Sequence, residues 1–399
     1  MKQRKGRIAM KRITAVLLAA LLLLPLTVSA ETAQAFPLFE SSFLQGWLCR
    51  DWTAERFRQE LDDMKAAGFR SVILQSAVDL THTETDVYAA ALYPSSLAAG
   101  SEQSHALEYA LQSAAETGMQ IRIGLVSDDR WWNYGWDMPD ADFRNWLAQN
   151  TADQCTVIRE IAEQFGERYA MQIAGFYYPN EIWNVTPDCT DAYVPLYAAQ
   201  LSAVRNALAE SFPEHSLMLS PFYNKTLGEP EAYSAFLAEI IRSGSLRRTD
   251  ILALQDGAGR DYDAGTLRLW QDTVYAACGD MITVWINNET FTSDYSPLSA
   301  DRLCADYLAT SSAGRHILFS WNHYYHWKEQ ESGFDQLLQS MAGDINADGT
   351  FDADDAACLV QWLCGTGNAP GNWNAGDADG SGDLNAADLT LLKRHLMPA

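Results

Sequence analysis

Cations are scarce in this chain: 28 Lys and Arg stand against 52 Asp and Glu, a formal net charge of −24 over 399 residues. Phosphate recognition needs clustered cations, so nucleic acid is excluded as a partner. Regular cysteine spacing is also missing. The seven cysteines, Cys49, Cys155, Cys189, Cys278, Cys304, Cys358 and Cys364, form no CxxC pair. An odd count without pattern argues against a disulfide framework and a zinc site, and favours buried free thiols. No GxGxxG or Walker pattern follows any strand-like segment, which weighs against nucleotide binding. No apolar run is long enough to span a bilayer.

What the N-terminus does have is a basic stretch, with Lys2, Arg4, Lys5, Arg7, Lys11 and Arg12, then an apolar run from Ala15 to Leu24. Small-residue patterns end at Ala30 and Ala35. This reads as a signal peptide over residues 1–30, with cleavage possible at 35, and predicts a secreted protein without a membrane span. No cysteine near either cleavage pattern offers a lipid attachment point.

The C-terminal segment holds an internal repeat. GDINADGTFDADDAACLVQWL at 343–363 returns as GDADGSGDLNAADLTLLKRHL at 376–396, an offset of 33. Each copy carries a twelve-residue loop with oxygen side chains at positions 1, 3, 5, 9 and 12. These are Asp344, Asn346, Asp348, Asp352 and Asp355, then Asp377, Asp379, Ser381, Asn385 and Asp388. Thr350 and Asp383 stand at position 7, where the backbone carbonyl would serve, and Gly349 and Gly382 fill the sharp turn at position 6. A hard cation wanting six to eight oxygens is the ligand this spacing suits, so two structural Ca²⁺ ions are expected. Position 12 is Asp in both copies, and Asn368 to Asn372 with Pro370 breaks any incoming helix to the second loop. Each unit is therefore a loop plus one outgoing helix.

That pattern resembles a type I dockerin, over residues 343–399. The resemblance implies a cohesin module of a scaffoldin as partner and attachment to a cellulosome or cell surface. It also implies that partner choice rests on Ala353, Asp354, Val360 and Gln361 in one copy and Ala386, Ala387, Lys393 and Arg394 in the other. These sets differ, so the two faces should not be interchangeable.

Residues 36–342 read as one α/β domain. Short apolar segments at 43–49, 71–76, 120–126, 173–178, 217–220, 251–255, 282–286 and 316–320 alternate with amphipathic ones at 53–67, 104–117, 193–210, 231–242, 299–310 and 334–341. Eight such units predict a closed (β/α)8 TIM barrel, with chemistry at the C-terminal ends of the strands. Those ends carry Trp47, Gln75, Asp128, Asp129, Trp132, Asn180, Glu181, Tyr223, Asp256, Glu289 and Trp321. Two carboxylates across a barrel mouth are what retaining glycoside hydrolysis requires.

The GFYYPNEIW and ITVWINNETF segments resemble the large clan of retaining glycosidases on β/α barrels. There a Glu preceded by Asn after strand four is the acid/base, and a Glu ending strand seven is the nucleophile. The resemblance implies those roles for Glu181 and Glu289. It sets a Trp at the end of strand eight, here Trp321, in the site, which needs no metal or organic cofactor. FLQGW, MKAAGFRSVILQ, SPFYN and LQDGAG are similar to a bacterial family of glycosidase-like barrels known as a domain of unknown function. Substrate contacts are expected from Trp47, Gln75, Trp132, Asn180, Tyr223, Asp256 and Trp321, with Asp256 a rival second carboxylate. A barrel that only binds carbohydrate, or an inert structural barrel, is the competing reading.

Overall fold

The computed structural model describes residues 39–84, 86–310, 314–324, 343–348, 350–379, 381 and 383–397. The leader, the helix expected at 334–341, and Gly349 and Gly382 lie outside them. Eight strands close a barrel: β1 (Ser41–Leu44), β2 (Ser71–Leu74), β3 (Gln120–Gly124), β4 (Ile173–Tyr178), β5 (Ser216–Leu219), β6 (Ile251–Gln255), β7 (Thr283–Glu289) and β8 (His316–Phe319). Each pairs in parallel with its neighbours in sequence. β8 closes on β1 with Ser42 opposite Leu318. Both faces of such strands are covered, which is why they read as unbroken apolar runs. Phe43, Ile73, Tyr177, Met218, Ala253 and Ile317 fill the interior. Residues of the opposite parity, such as Leu44, Val72 and Phe176, belong to the shell beneath the helices.

Helices α1 (Ala54–Ala66), α2 (Ala106–Thr117), α3 (Ala141–Ile161), α4 (Thr190–Ser211), α5 (Pro230–Ser243), α6 (Ala264–Cys278) and α7 (Ala300–Thr310) form the outer layer. Side chains start several of them. Thr53 accepts from Arg56 N, Asp140 from Phe143 N and Asp263 from Thr266 N.

The sequence pattern missed α3 and α6. In α3 the buried face carries Asn150, Asp153 and Gln154, and in α6 it carries Gln271, so the apolar period is broken by polar side chains turned inside. Gln154, for example, bonds both Val126 N and Val126 O. The first strand also stops early, and residues 46–49, expected as strand, are a helical turn. A four-stranded sheet beside the mouth, from Val78–His82, Val87–Ala91, Glu102–Gln103 and Val126–Asp128, was not foreseen. It is built from the chain following β2 and β3.

The C-terminal module contributes α8 (Ala353–Leu363) and α9 (Ala386–Leu396) around Ile345, Leu359, Leu384 and Leu392. It contacts the barrel beside α7 and the start of β8. Tyr307 OH donates to Asn372 Oδ1 at 3.1 Å, and Arg315 lies 3.8 Å from an Asp377 oxygen. These contacts lie at the pole opposite the strand ends. All seven cysteines are free thiols. Cys49, Cys189 and Cys278 are buried, whereas Cys364 is exposed. No helix among the described residues is long and apolar enough to cross a membrane.

Candidate active site

The C-terminal ends of β4 to β8 surround a cavity of about 670 Å³. Glu181 and Glu289 both line it. β7 shows how a strand aims them: Asn287 and Glu289 face the cavity, while Asn288 between them faces outward, donating to Asp256 Oδ2 at 2.8 Å and meeting His316 Nδ1 at 2.5 Å. Gly259 N–H donates to Glu289 Oε2 at 2.9 Å. That loop must pass close to its neighbours. A Cβ on Gly259 would sit 2.5 Å from Phe291, and Gly257 holds φ +89° with Tyr262 against it.

The two carboxyls sit in different electrostatic surroundings. Burial pushes Glu181 up to about 7, opposed only by a hydrogen bond from Gln255. Burial and the nearby Glu181 charge also raise Glu289, but the Gly259 and Gly257 N–H groups and the Arg260 guanidinium pull it back. Two acids so placed titrate as a pair. Both are pushed up to about 7, and fewer groups stabilise the Glu181 anion than the Glu289 anion.

Several expected contacts do reach the cavity. Trp132 lines it, half exposed, with its ring 6.0 Å from Phe222, and Tyr223 lines it from below with its OH on Asp256 O at 2.7 Å. Others do not. Asp256 is fully buried and braces the β6–β7 ends, accepting from Ala258 N, Asn288 Nδ2 and Glu289 N. It is a support for Glu289 rather than a surface for sugar. Asn180 is buried away from the cavity, donating to Asn150 Oδ1 at 2.9 Å and Tyr178 OH at 3.1 Å. Trp321 is fully buried, with Nε1 donating to Glu60 at 3.0 Å and its ring edge-on to Phe69. The aromatic that β8 presents to the cavity is Phe319, two residues earlier. Trp47 is exposed but stands edge-on to His323 outside the lining, and Gln75 also lies outside it. Asp128 and Asp129 engage His82, at 3.3 and 2.7 Å, away from the cavity.

Gln45 and Asn287 stand at strand ends but were not among the expected substrate contacts, and Phe222, Phe291, Tyr295 and Arg260 were passed over, though all six line the cavity. Gln45 Oε1 and Asn287 Oδ1 are buried acceptors without a donor among the described residues. A polar residue at a strand end, two residues before Glu289 on the same face, was the available signal for Asn287. The loop aromatics had none.

Residues 40–331 match the family described as Domain of unknown function (DUF4434). The chain belongs to that family. Residues 342–397 match the Dockerin type I domain, and the C-terminal module is a type I dockerin. No curated protein matches the chain. Among solved structures, this DUF4434 barrel is similar to a putative alpha-L-fucosidase from Bacteroides thetaiotaomicron, at 19% identity and TM-score 0.58, over 79% of this chain and 93% of that one. An endo-1,4-beta-mannanase from Rhizomucor miehei aligns at 13% identity and TM-score 0.43, over 71% and 85%. An endocellulase from Pyrococcus horikoshii aligns at 12% and 0.46, over 71% and 84%. At these identities the likeness is one of fold, a (β/α)8 barrel.

Type I dockerins bind calcium, and the loops of this one suit a hard cation. In the second loop, carboxylate oxygens of Asp377, Asp379 and Asp388 lie within 4.8 Å of one another. Like charges so close call for a cation between them. Asp388 also accepts from Asp379 N and Asn385 N, and Asp355 accepts from Ile345 N, Asn346 N and Asp352 N in the first loop. These bonds curl each loop so that the position-12 carboxylate closes it. Asp344, Asn346, Asp348 and Asp352 are the other oxygen side chains of the first loop, and Ser381 and Asn385 of the second. Thr350 and Asp383 offer carbonyls.

Proposed function

We propose that this protein is an extracellular, cellulosome-borne glycoside hydrolase that cleaves by a retaining, two-carboxylate mechanism. The observation that carries the reading is the pair Glu181 and Glu289 in one cavity, at the ends of β4 and β7, with unequal support for their charges. Glu181, which holds the shared proton, donates it to the departing glycosidic oxygen. Glu289, whose anion Gly259 N–H and Arg260 favour, attacks the anomeric carbon and forms a glycosyl ester. Glu181 as carboxylate then takes a proton from water, which displaces Glu289. Gln45 and Asn287 supply buried acceptors for sugar hydroxyls, and Trp132 supplies an apolar face for a ring. The dockerin, folded on two Ca²⁺ ions, anchors the enzyme to a cohesin of a scaffoldin. Its contacts with the barrel leave the mouth clear.

The test is the stereochemistry of the first product. Proton NMR of a digest of cell-wall oligosaccharides should show the anomer of the substrate before mutarotation. Glu181→Gln should lose turnover while keeping oligosaccharide affinity. An inverted first anomer, or full turnover in Glu181→Gln and Glu289→Gln, sinks the mechanism. Sugar binding without turnover in the wild type would establish a carbohydrate-binding barrel instead.

A further inference from the structure

Arg260 is the one cation among the described residues lining the cavity. In a chain so rich in acids, an arginine would ordinarily be claimed by a carboxylate. No described carboxylate lies within ion-pair distance of it, and the guanidinium instead rests 5.7 Å above the Phe222 ring. Its position is fixed from beneath. It ends the short turn Ala258–Arg260, between Gly257 at φ +89° and Asp261 at φ +54°. The preceding Gly259 is bonded to Glu289. The backbone that positions the proposed nucleophile thus also positions the guanidinium. Trp132 lies with its ring 6.0 Å from Phe222, so the cavity lining offers aromatic rings and a fork of donors close together.

Both acids in the cavity are displaced upward and Arg260 neutralises neither by contact. Its five donors face solvent at the mouth, oriented by stacking, which is how arginine is held ready for a planar anion.

We infer that the cavity takes an anionic glycan, and that Arg260 receives a carboxylate or sulfate on the sugar bound beside Glu289. This rests on the glycosidase reading for the location of the sugar, yet the binding itself needs no turnover. A hexuronate carboxylate is the planar partner that a guanidinium meets with two parallel hydrogen bonds; a sulfate ester offers similar oxygens without the plane. A purely neutral glycan would leave this donor set unused against solvent.

The experiment uses the full chain with Ca²⁺, in the Glu181→Gln background so that ligand survives. Calorimetry compares oligogalacturonates and glucuronyl-xylo-oligosaccharides, sulfated galactan oligosaccharides, and neutral xylo-, cello- and manno-oligosaccharides of matched length. At least one anionic set should bind about tenfold or more tightly than its neutral counterpart, with the preference fading as salt rises. Arg260→Gln should erase the preference and Arg260→Lys should keep part of it, with thermal stability unchanged in both. Tighter binding of the uronates than of the sulfated set identifies the carboxylate; the reverse identifies the sulfate. Equal affinity for neutral and anionic sugars, no anionic binding at all, or a preference that survives Arg260→Gln overturns the inference. So does a shifted acid limb of the pH–rate profile in Arg260→Gln with the preference intact, since that assigns the arginine to Glu289 alone. Hydrolysis can fail in the wild type while the charge preference stands, which separates this inference from the enzymatic one.

Discussion

Two sets of carboxylates in this molecule do opposite work with the same functional group. In the second dockerin loop, Asp377, Asp379 and Asp388 come within 4.8 Å of one another on a short turn of chain, with Asp377 and Asp388 buried. At the barrel mouth, Glu181 and Glu289 stand at strand ends more than a hundred residues apart and line one cavity. Crowded, loop-borne oxygens suit a cation between them. Carboxyls facing one cavity suit a shared proton. What separates a metal site from an acid–base pair here is the number and spacing of the oxygens.

Each half can be broken without the other. The largest effect should come from Glu289→Gln, which removes the nucleophile. Turnover should fall by about 10³-fold or more, while calcium affinity by calorimetry stays at the wild-type value. Chelation with EGTA is the mirror experiment. Metal binding and folding of such loops are linked, so circular dichroism should lose the α8 and α9 contribution and cohesin binding should vanish. Hydrolysis should stay within about twofold of the calcium-loaded rate, because no Ca²⁺ ligand lies near the cavity.

The proton-holding site should also declare itself in pH. Below the lower pKa of the pair both carboxyls are protonated and the nucleophile is lost. Above the upper one both are ionised and the acid is lost. The rate should therefore trace a bell, with its alkaline limb falling from about 7, where the coupled pair titrates. A carboxylate set that held only a cation would give no such alkaline limb.

Supports behind the site give smaller effects. His316 is buried and neutral, with its pKa pushed down to about 3 by burial. A histidine depressed in the folded state protonates first in the unfolded chain. Stability should thus fall as pH drops from about 6.5, by about 1.4 kcal/mol per pH unit from this group. In His316→Gln the difference in urea stability between pH 7 and pH 5 should shrink by about 2 kcal/mol. The smallest effect should be that of Trp321→Phe, which removes one buried donor to Glu60 and costs about 1 kcal/mol in stability. Its KM should not change, whereas Trp132→Ala should raise KM at unchanged stability. An unchanged KM for Trp132→Ala would remove the sugar platform from the cavity.

Trp321 also shows where reading along the chain ran out. Its place just after β8 made it a candidate for the site, yet its ring lies under the helices, and Phe319 faces the cavity. Asn180 and Asp256 failed for the same reason. Each stands at a strand end, but residues there alternate or twist between mouth and shell, and one step of parity decides which. α3 and α6 were hidden because buried amides on their inner faces imitate a solvent side. The barrel itself was readable, since eight short apolar runs admit few other arrangements, and so was the position of Glu181 and Glu289 at the ends of the fourth and seventh runs.

The sequence by itself determined the calcium loops and the order of the barrel units. Both are local: ligand spacing in a twelve-residue loop, and apolar runs between amphipathic ones, are written within a few turns of chain. Only the tertiary structure decided the rest. It chose which strand-end side chains meet, put Asp256 beneath Glu289, and set Arg260 at the mouth without a described carboxylate partner. Those outcomes depend on strand register, parity and burial, which arise only when distant segments close on one another.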